Sequence, residues 1–176
     1  LTSVLTPPSA MIWHGAARAL VTTAIVHVAF WHLLFNMLWA RTFGPAIEAE
    51  LGAPRYGAFL AGTAVFSSGW QLLVSGTTGI GFSGVLYAMF GYLVARRNSV
   101  ATFGPLVTPR TIQLMLGWLV LCVVLTVTAT WSVGNAAHVT GLVTGYGLGL
   151  WRERPTLRLP LTGAAEKPSP GDPDGT

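Results

Sequence analysis

The chain has 176 residues, room for one domain but not for a second membrane unit. It is 52% hydrophobic and 9% charged with a mean hydropathy of +0.58, and because soluble domains carry about 25% charged residues, a soluble globular class is excluded. The net charge of +4 does not indicate a nucleic-acid partner, since the basic residues are scattered between apolar segments, where membrane topology accounts for them.

No signal-peptide pattern opens the chain: residues 1–10 contain Pro7 and Pro8 and lack a basic start. With Leu1 in first place, the sequence reads as a fragment or as a product trimmed at its front. Five apolar segments follow. The first runs over 16–43, with Gly44-Pro45 as its expected helix stop. The others cover 55–75, 83–95, 111–131 and 135–151. A full span takes about 20 residues, so the third and fifth are short. The lone Cys122 lies inside the fourth, so no disulfide framework exists. Beyond Arg152, Pro155, Pro160, Pro168, Pro170 and Pro173 among scattered charges predict a disordered tail over 152–176. The expected fold is an all-α, polytopic transmembrane helix bundle occupying 16–151.

Five spans place the loops near 44–54 and 97–110, and the tail, on one side. That side carries Arg41, Arg55, Arg96, Arg97, Arg110, Arg152, Arg154, Arg158 and Lys167, leaving only Arg18 on the other. The asymmetry predicts an integral multi-pass protein with a cytoplasmic C-terminus. Arg96 and Arg152 then serve as depth markers. Ser83 lies thirteen residues before Arg96, and His138 fourteen before Arg152. At about 1.5 Å per residue both sit about 20 Å above that boundary, level with each other and inside a hydrocarbon core of about 30 Å. The stretch 75–81 must then enter the membrane as irregular backbone, which is tolerated only where it is buried in protein or lines a watery cavity.

A serine hydroxyl needs a base to become a nucleophile. His138 is the one histidine outside the first segment, so the expected pair is Ser83 with His138. Every acidic residue (Glu48, Glu50, Glu153, Glu166, Asp172, Asp174) falls on the cytoplasmic side, so no acid completes a triad and packing must orient the histidine. Tyr87, one turn after Ser83, is on the face to stack against it. Gly141, Gly145 and Gly149 continue the His138 face, and Gly84, Ala88 and Gly91 form a similar stripe on the third segment. Small residues on facing stripes permit close helix approach. His32 and Asn36 share a helix face at i, i+4, and with the Ser83 amide they are candidate donors to an oxyanion.

These residues resemble the rhomboid intramembrane serine proteases. The match rests on HxxxN in His32 to Asn36, GxSG in Gly81-Phe82-Ser83-Gly84, and AHxxGxxxG from Ala137-His138 through Gly141 to Gly145, and it covers about residues 11–151. The resemblance implies Ser83 as nucleophile and His138 as general base. It implies an oxyanion hole of His32, Asn36 and the Ser83 amide, and Gly81 in the loop that presents the serine. His27 would support the site, and Glu48 would close its helix on the cytoplasmic side. It also implies cleavage of single-pass transmembrane protein substrates in or near their helices, lateral entry beside the first and fourth segments, a bacterial plasma membrane location, and no metal or cofactor. Two departures stand out. The family core has six helices where this chain shows five, so the first core helix is missing and residues 1–15 read as the end of an extracytoplasmic loop. The family's Trp-Arg pair is represented only by Ala17-Arg18. Two alternatives stand beside the protease: a catalytically inactive rhomboid-like protein that binds membrane clients, and a haem-binding membrane cytochrome using His14, His27 and His138.

Overall fold

The computed structural model describes residue 12 and residues 14–153. The expected loop remnant and tail fall mostly outside them; of the tail, Arg152 and Glu153 close the last helix. The described residues form a short helix α1 (Ala19–Thr22) and five long ones: α2 (Phe30–Leu51), α3 (Ala53–Ser75), α4 (Ser83–Arg96), α5 (Pro109–Val127) and α6 (Asn135–Glu153). A 3₁₀ turn, Gly104–Leu106, lies between α4 and α5. Two helices, α3 and α5, are long and apolar enough to cross a bilayer by length and composition.

The first apolar segment differs from expectation at both ends. It is not one helix from residue 16: α1 stops after one turn, and α2 begins only after Ala29, whose backbone is extended at φ −139° and ψ 145°. Gly44-Pro45 does not end α2 either. Proline at 45 removes one intrahelical donor, but Phe43 and Ile47 on either side are fully buried, and Gly44 faces the Tyr56 hydroxyl so closely that a Cβ would lie 2.8 Å from it. Packing holds the turn that local propensity would break. The helix ends instead at Gly52, whose φ of 78° favours glycine and turns the chain into α3.

The central element is α4. Residues 84–93 are all buried, so this helix is enclosed by protein. Its Phe90 and Tyr92 meet Phe43 and Phe103, with Trp39 stacked on Phe43 and Phe43 on Phe90 at centroid distances of 5.0 and 6.3 Å. Its tightest neighbour is α6. A Cβ on Gly141 would overlap the Gly84 carbonyl, one on Gly145 the Ala88 carbonyl, and one on Gly91 the Leu142 carbonyl. The two backbones therefore touch along three turns, a spacing that only small residues allow. By contrast α5 buries only Met115 and Cys122, and Val120, Val124 and Val127 are exposed, as suits lipid-facing side chains.

The C-terminal ends of α2, α4 and α6 meet at one carboxylate. Glu50 Oε2 accepts from the Tyr92 hydroxyl at 2.5 Å, and Oε1 accepts from Arg96 Nη2 and Arg152 Nε, each at 3.2 Å. The role expected of Glu48 is thus taken by Glu50. Glu48 is exposed and lies near Tyr56 of α3. This node also resolves the depth of Asn36. Gly44-Pro45 is not the end of α2, so the proper marker is Glu50, fourteen residues below Asn36. Measured from a common node, Asn36, Ser83 and His138 all lie about 20 Å along their helices.

Candidate active site

Ser83 is the first residue of α4, delivered by the irregular stretch 76–82. Gly76, Gly79 and Gly81 in this stretch have φ values of 72°, 70° and 112°. Gly81 is constrained twice: its φ is one that a side chain rarely adopts, and a Cβ there would strike the His32 imidazole. Two bonds hold the stretch to the segment between α1 and α2. The Gly81 amide donates to the Thr23 carbonyl at 3.0 Å, and the Phe82 amide donates to His27 Nε2 at 3.4 Å.

His138 lies in the first turn of α6, and its Nε2 is 2.8 Å from Ser83 Oγ. Tyr87 packs on the His138 ring with centroids 4.9 Å apart and planes tilted by 35°, while its own hydroxyl donates to the Met115 carbonyl of α5 at 2.9 Å. His138 is 4% exposed, so its orientation is set by protein rather than water. With Nε2 accepting the serine proton, the neutral ring carries its hydrogen on Nδ1, and that buried atom has no hydrogen-bond partner.

The tautomer of His27 follows from its partners. Nδ1 faces the Ile25 carbonyl at 3.0 Å and must donate; Nε2 then accepts from the Phe82 amide and from Asn36 Nδ2, the latter at 2.8 Å. His27 thereby fixes the Asn36 carboxamide and leaves its second N–H free. Both ring nitrogens of His27 are engaged within the protein, which disfavours a haem ligand there. Among the described residues no group of three His, Cys, Asp or Glu side chains gathers to hold a metal.

One cavity of about 1420 Å³ joins these groups: His32, Asn36, Gly81, Ser83, Tyr87 and His138 all line it. Phe35 of α2 and Trp118 of α5 meet at its side, ring centroids 6.0 Å apart. His27 is not among the lining residues, and Gly141 and Gly145 lie in the α4–α6 contact.

Three polar residues of the site escape a motif search. Gln71 Oε1 accepts the Ala137 amide at 3.0 Å, satisfying an orphan donor at the start of α6, while its Nε2 donates to Ser75 Oγ at 2.8 Å. Asn135 Nδ2 donates to Thr126 Oγ1 at 2.8 Å and to the Cys122 carbonyl at 3.4 Å, fastening α5 to α6. Ser67 abuts Gly84, whose added Cβ would lie 2.7 Å from its Oγ. A signal for two of them was present: Thr63, Ser67, Gln71 and Ser75 recur every four residues, a polar stripe on one face of an apolar helix.

Residues 11–154 match the family described as Rhomboid domain. Relatives named Rhomboid protease GlpG include that of Photorhabdus laumondii subsp. laumondii, 33% identical over 138 residues that cover 78% of this chain and 48% of the relative. That of Yersinia pestis is 33% identical over 143 residues, 78% of this chain and 49% of the relative. That of Yersinia pseudotuberculosis is 32% identical over 143 residues with the same coverage. The chain spans about half the length of the curated relatives it matches.

Proposed function

The chain belongs to the rhomboid family, and from that premise we propose that it is an intramembrane serine endopeptidase that hydrolyses peptide bonds in or near the transmembrane helices of single-pass substrates. The observation that carries the reading is the 2.8 Å approach of His138 Nε2 to Ser83 Oγ at the wall of the cavity. Ser83 Oγ attacks the scissile carbonyl carbon while His138 Nε2 takes its proton. The carbonyl electrons move onto oxygen, and the charge is met by the Ser83 amide and by side-chain donors of His32 and Asn36. Collapse expels the amine, which receives the proton from His138, and leaves an acyl group on Ser83. Water, activated by the same imidazole, releases the acid. Preorganised donors in a site shielded from bulk water are the main electrostatic contribution to such a step.

Supporting groups follow from the geometry. Tyr87 orients His138, His27 holds Asn36, Gly81 leaves space for His32, and Gly141 and Gly145 keep α6 against α4. Substrate helices reach the cavity from the side between α2 and α5, where Phe35 and Trp118 meet and α5 is thinly attached. Rhomboid membership makes the chain an integral membrane protein. The basic residues at the Glu50 end orient that end, and so the C-terminus, to the cytoplasm of a bacterial plasma membrane. Labelling with a serine-reactive phosphonate tests the proposal without knowledge of a substrate. Wild type should label and Ser83→Ala and His138→Ala should not; labelling that persists in either variant would overturn the assignment.

A further inference from the structure

Asn135 Oδ1 and His138 Nδ1 are two of only three buried side-chain N or O atoms without a hydrogen-bond partner among the described residues. One is an acceptor and the other, in the tautomer that serves Ser83, a donor. They stand three residues apart in the first turn of α6, so their side chains share a face. A helical side chain leans toward the N-terminus and covers the preceding turn, which directs the His138 ring toward Asn135. The amide end of Asn135 is already held by Thr126 Oγ1 and the Cys122 carbonyl, so its oxygen is fixed in place rather than free to rotate.

We propose that Asn135 is a positioning residue for His138: its carboxamide oxygen accepts the Nδ1 proton through one buried water. The inference rests on the Ser83–His138 reading above. Burial without a partner costs each group its hydration, and a polar site with several partners is where buried water is found. The bridge does what no carboxylate among the described residues does. It fixes the Nδ1–H tautomer, leaving Nε2 free to accept from Ser83, and it meets the extra charge when the ring becomes an imidazolium. The titratable and polar groups recorded against His138 are Ser83 and Tyr87 of α4 and His32 of α2. None of them supplies an acceptor to Nδ1.

The test is phosphonate labelling kinetics of the 176-residue chain in micelles, with the His138 Nδ1–H signal followed by nitrogen-15 NMR; the four histidines make selective labelling tractable. Asn135→Ala should slow labelling about twofold to tenfold, the span of one net hydrogen bond, and should shift the Nδ1 resonance. Asn135→Asp, which keeps an acceptor, should restore both. Thr126→Val removes one of the two α5 fastenings, leaving the Cys122 carbonyl to hold the carboxamide and Oδ1 intact, and should label within about twofold of wild type with the resonance in place. Equal losses in Thr126→Val and Asn135→Ala, or an Nδ1 signal indifferent to Asn135, would overturn the proposal while leaving the dyad intact. A wild type that does not label would remove both readings together.

Discussion

Gly145→Ala should disable the site from a distance. The new methyl would overlap the Ala88 carbonyl oxygen and lie 2.6 Å from the Ala88 Cα. Ordinary contact needs more than 3.4 Å, and both obstacles are helical backbone, so no rotamer change relieves them. The helices must part by about an ångström, and overpacking of this sort costs about 1–3 kcal/mol. Ser83 and His138 stand on the same two helices at the limit of a 2.8 Å bond. An added ångström exceeds hydrogen-bond range, and a misplacement of that size costs about a hundredfold in rate. Phosphonate labelling rate and thermal melting in the same micelle measure both effects. Gly147→Ala is the internal control: it lies on the same helix, is exposed, and its added Cβ meets nothing within 4 Å. It should label normally and gain up to about 1 kcal/mol from helix propensity. Gly145→Ala labelling as fast as Gly147→Ala would refute the claim that backbone contact between α4 and α6 sets the site.

Gly81→Ala should abolish labelling, because its φ of 112° and the His32 ring both oppose a side chain. Asn36→Ala should lower turnover about tenfold to a thousandfold, the upper range being that of one lost oxyanion donor; unchanged turnover in a cleavage assay would remove Asn36 from the site. Tyr87→Phe keeps the ring against His138 but strands the Met115 carbonyl, so melting should fall by the equivalent of about 1–3 kcal/mol while labelling by a small probe persists. Glu50→Gln should destabilise the bundle by about 1–3 kcal/mol, since Arg96 and Arg152 lose a shared charge-assisted acceptor. Glu48→Gln, at an exposed position, should be close to neutral in the same melts.

Four residues that line the cavity, Ser83, His138, His32 and Asn36, were legible in the sequence for a single reason, whereas Ser67 and Gln71 of the same lining were not. A polar side chain in an apolar segment has no packing purpose, so Ser83, His138, His32 and Asn36 stand out against their neighbours. Depth was legible wherever a charge marked the same end of a helix, as Arg96 and Arg152 do. It was misjudged on α2, where Gly44-Pro45 looked like a terminus. Helix-stop signals report local propensity, and here the burial of Phe43 and Ile47 outweighs it. Glu48 and Glu50 could not be separated by sequence, because which of two neighbouring carboxylates meets Arg96 depends on how α2 is rotated against α4.

Part of what remained hidden joins elements far apart in sequence through backbone groups. Gln71 reaches the amide of Ala137, the Gly81 amide reaches the Thr23 carbonyl, and Tyr87 reaches the Met115 carbonyl. No motif encodes the partner of a backbone atom, since every residue offers the same one. Yet these bonds distribute rigidity in the bundle. They tie the serine-bearing stretch to the segment before α2 and the start of α6 to α3, while the side-chain bonds that reach α5 from α4 and α6 come from Tyr87, with one, and Asn135, with two. On the proposed entry route between α2 and α5, the helix at the opening is fastened by residues that also touch or flank His138. Loosening α5 should disturb the imidazole less through the membrane than through those two side chains, and the contrast between Thr126→Val and Asn135→Ala separates the two routes.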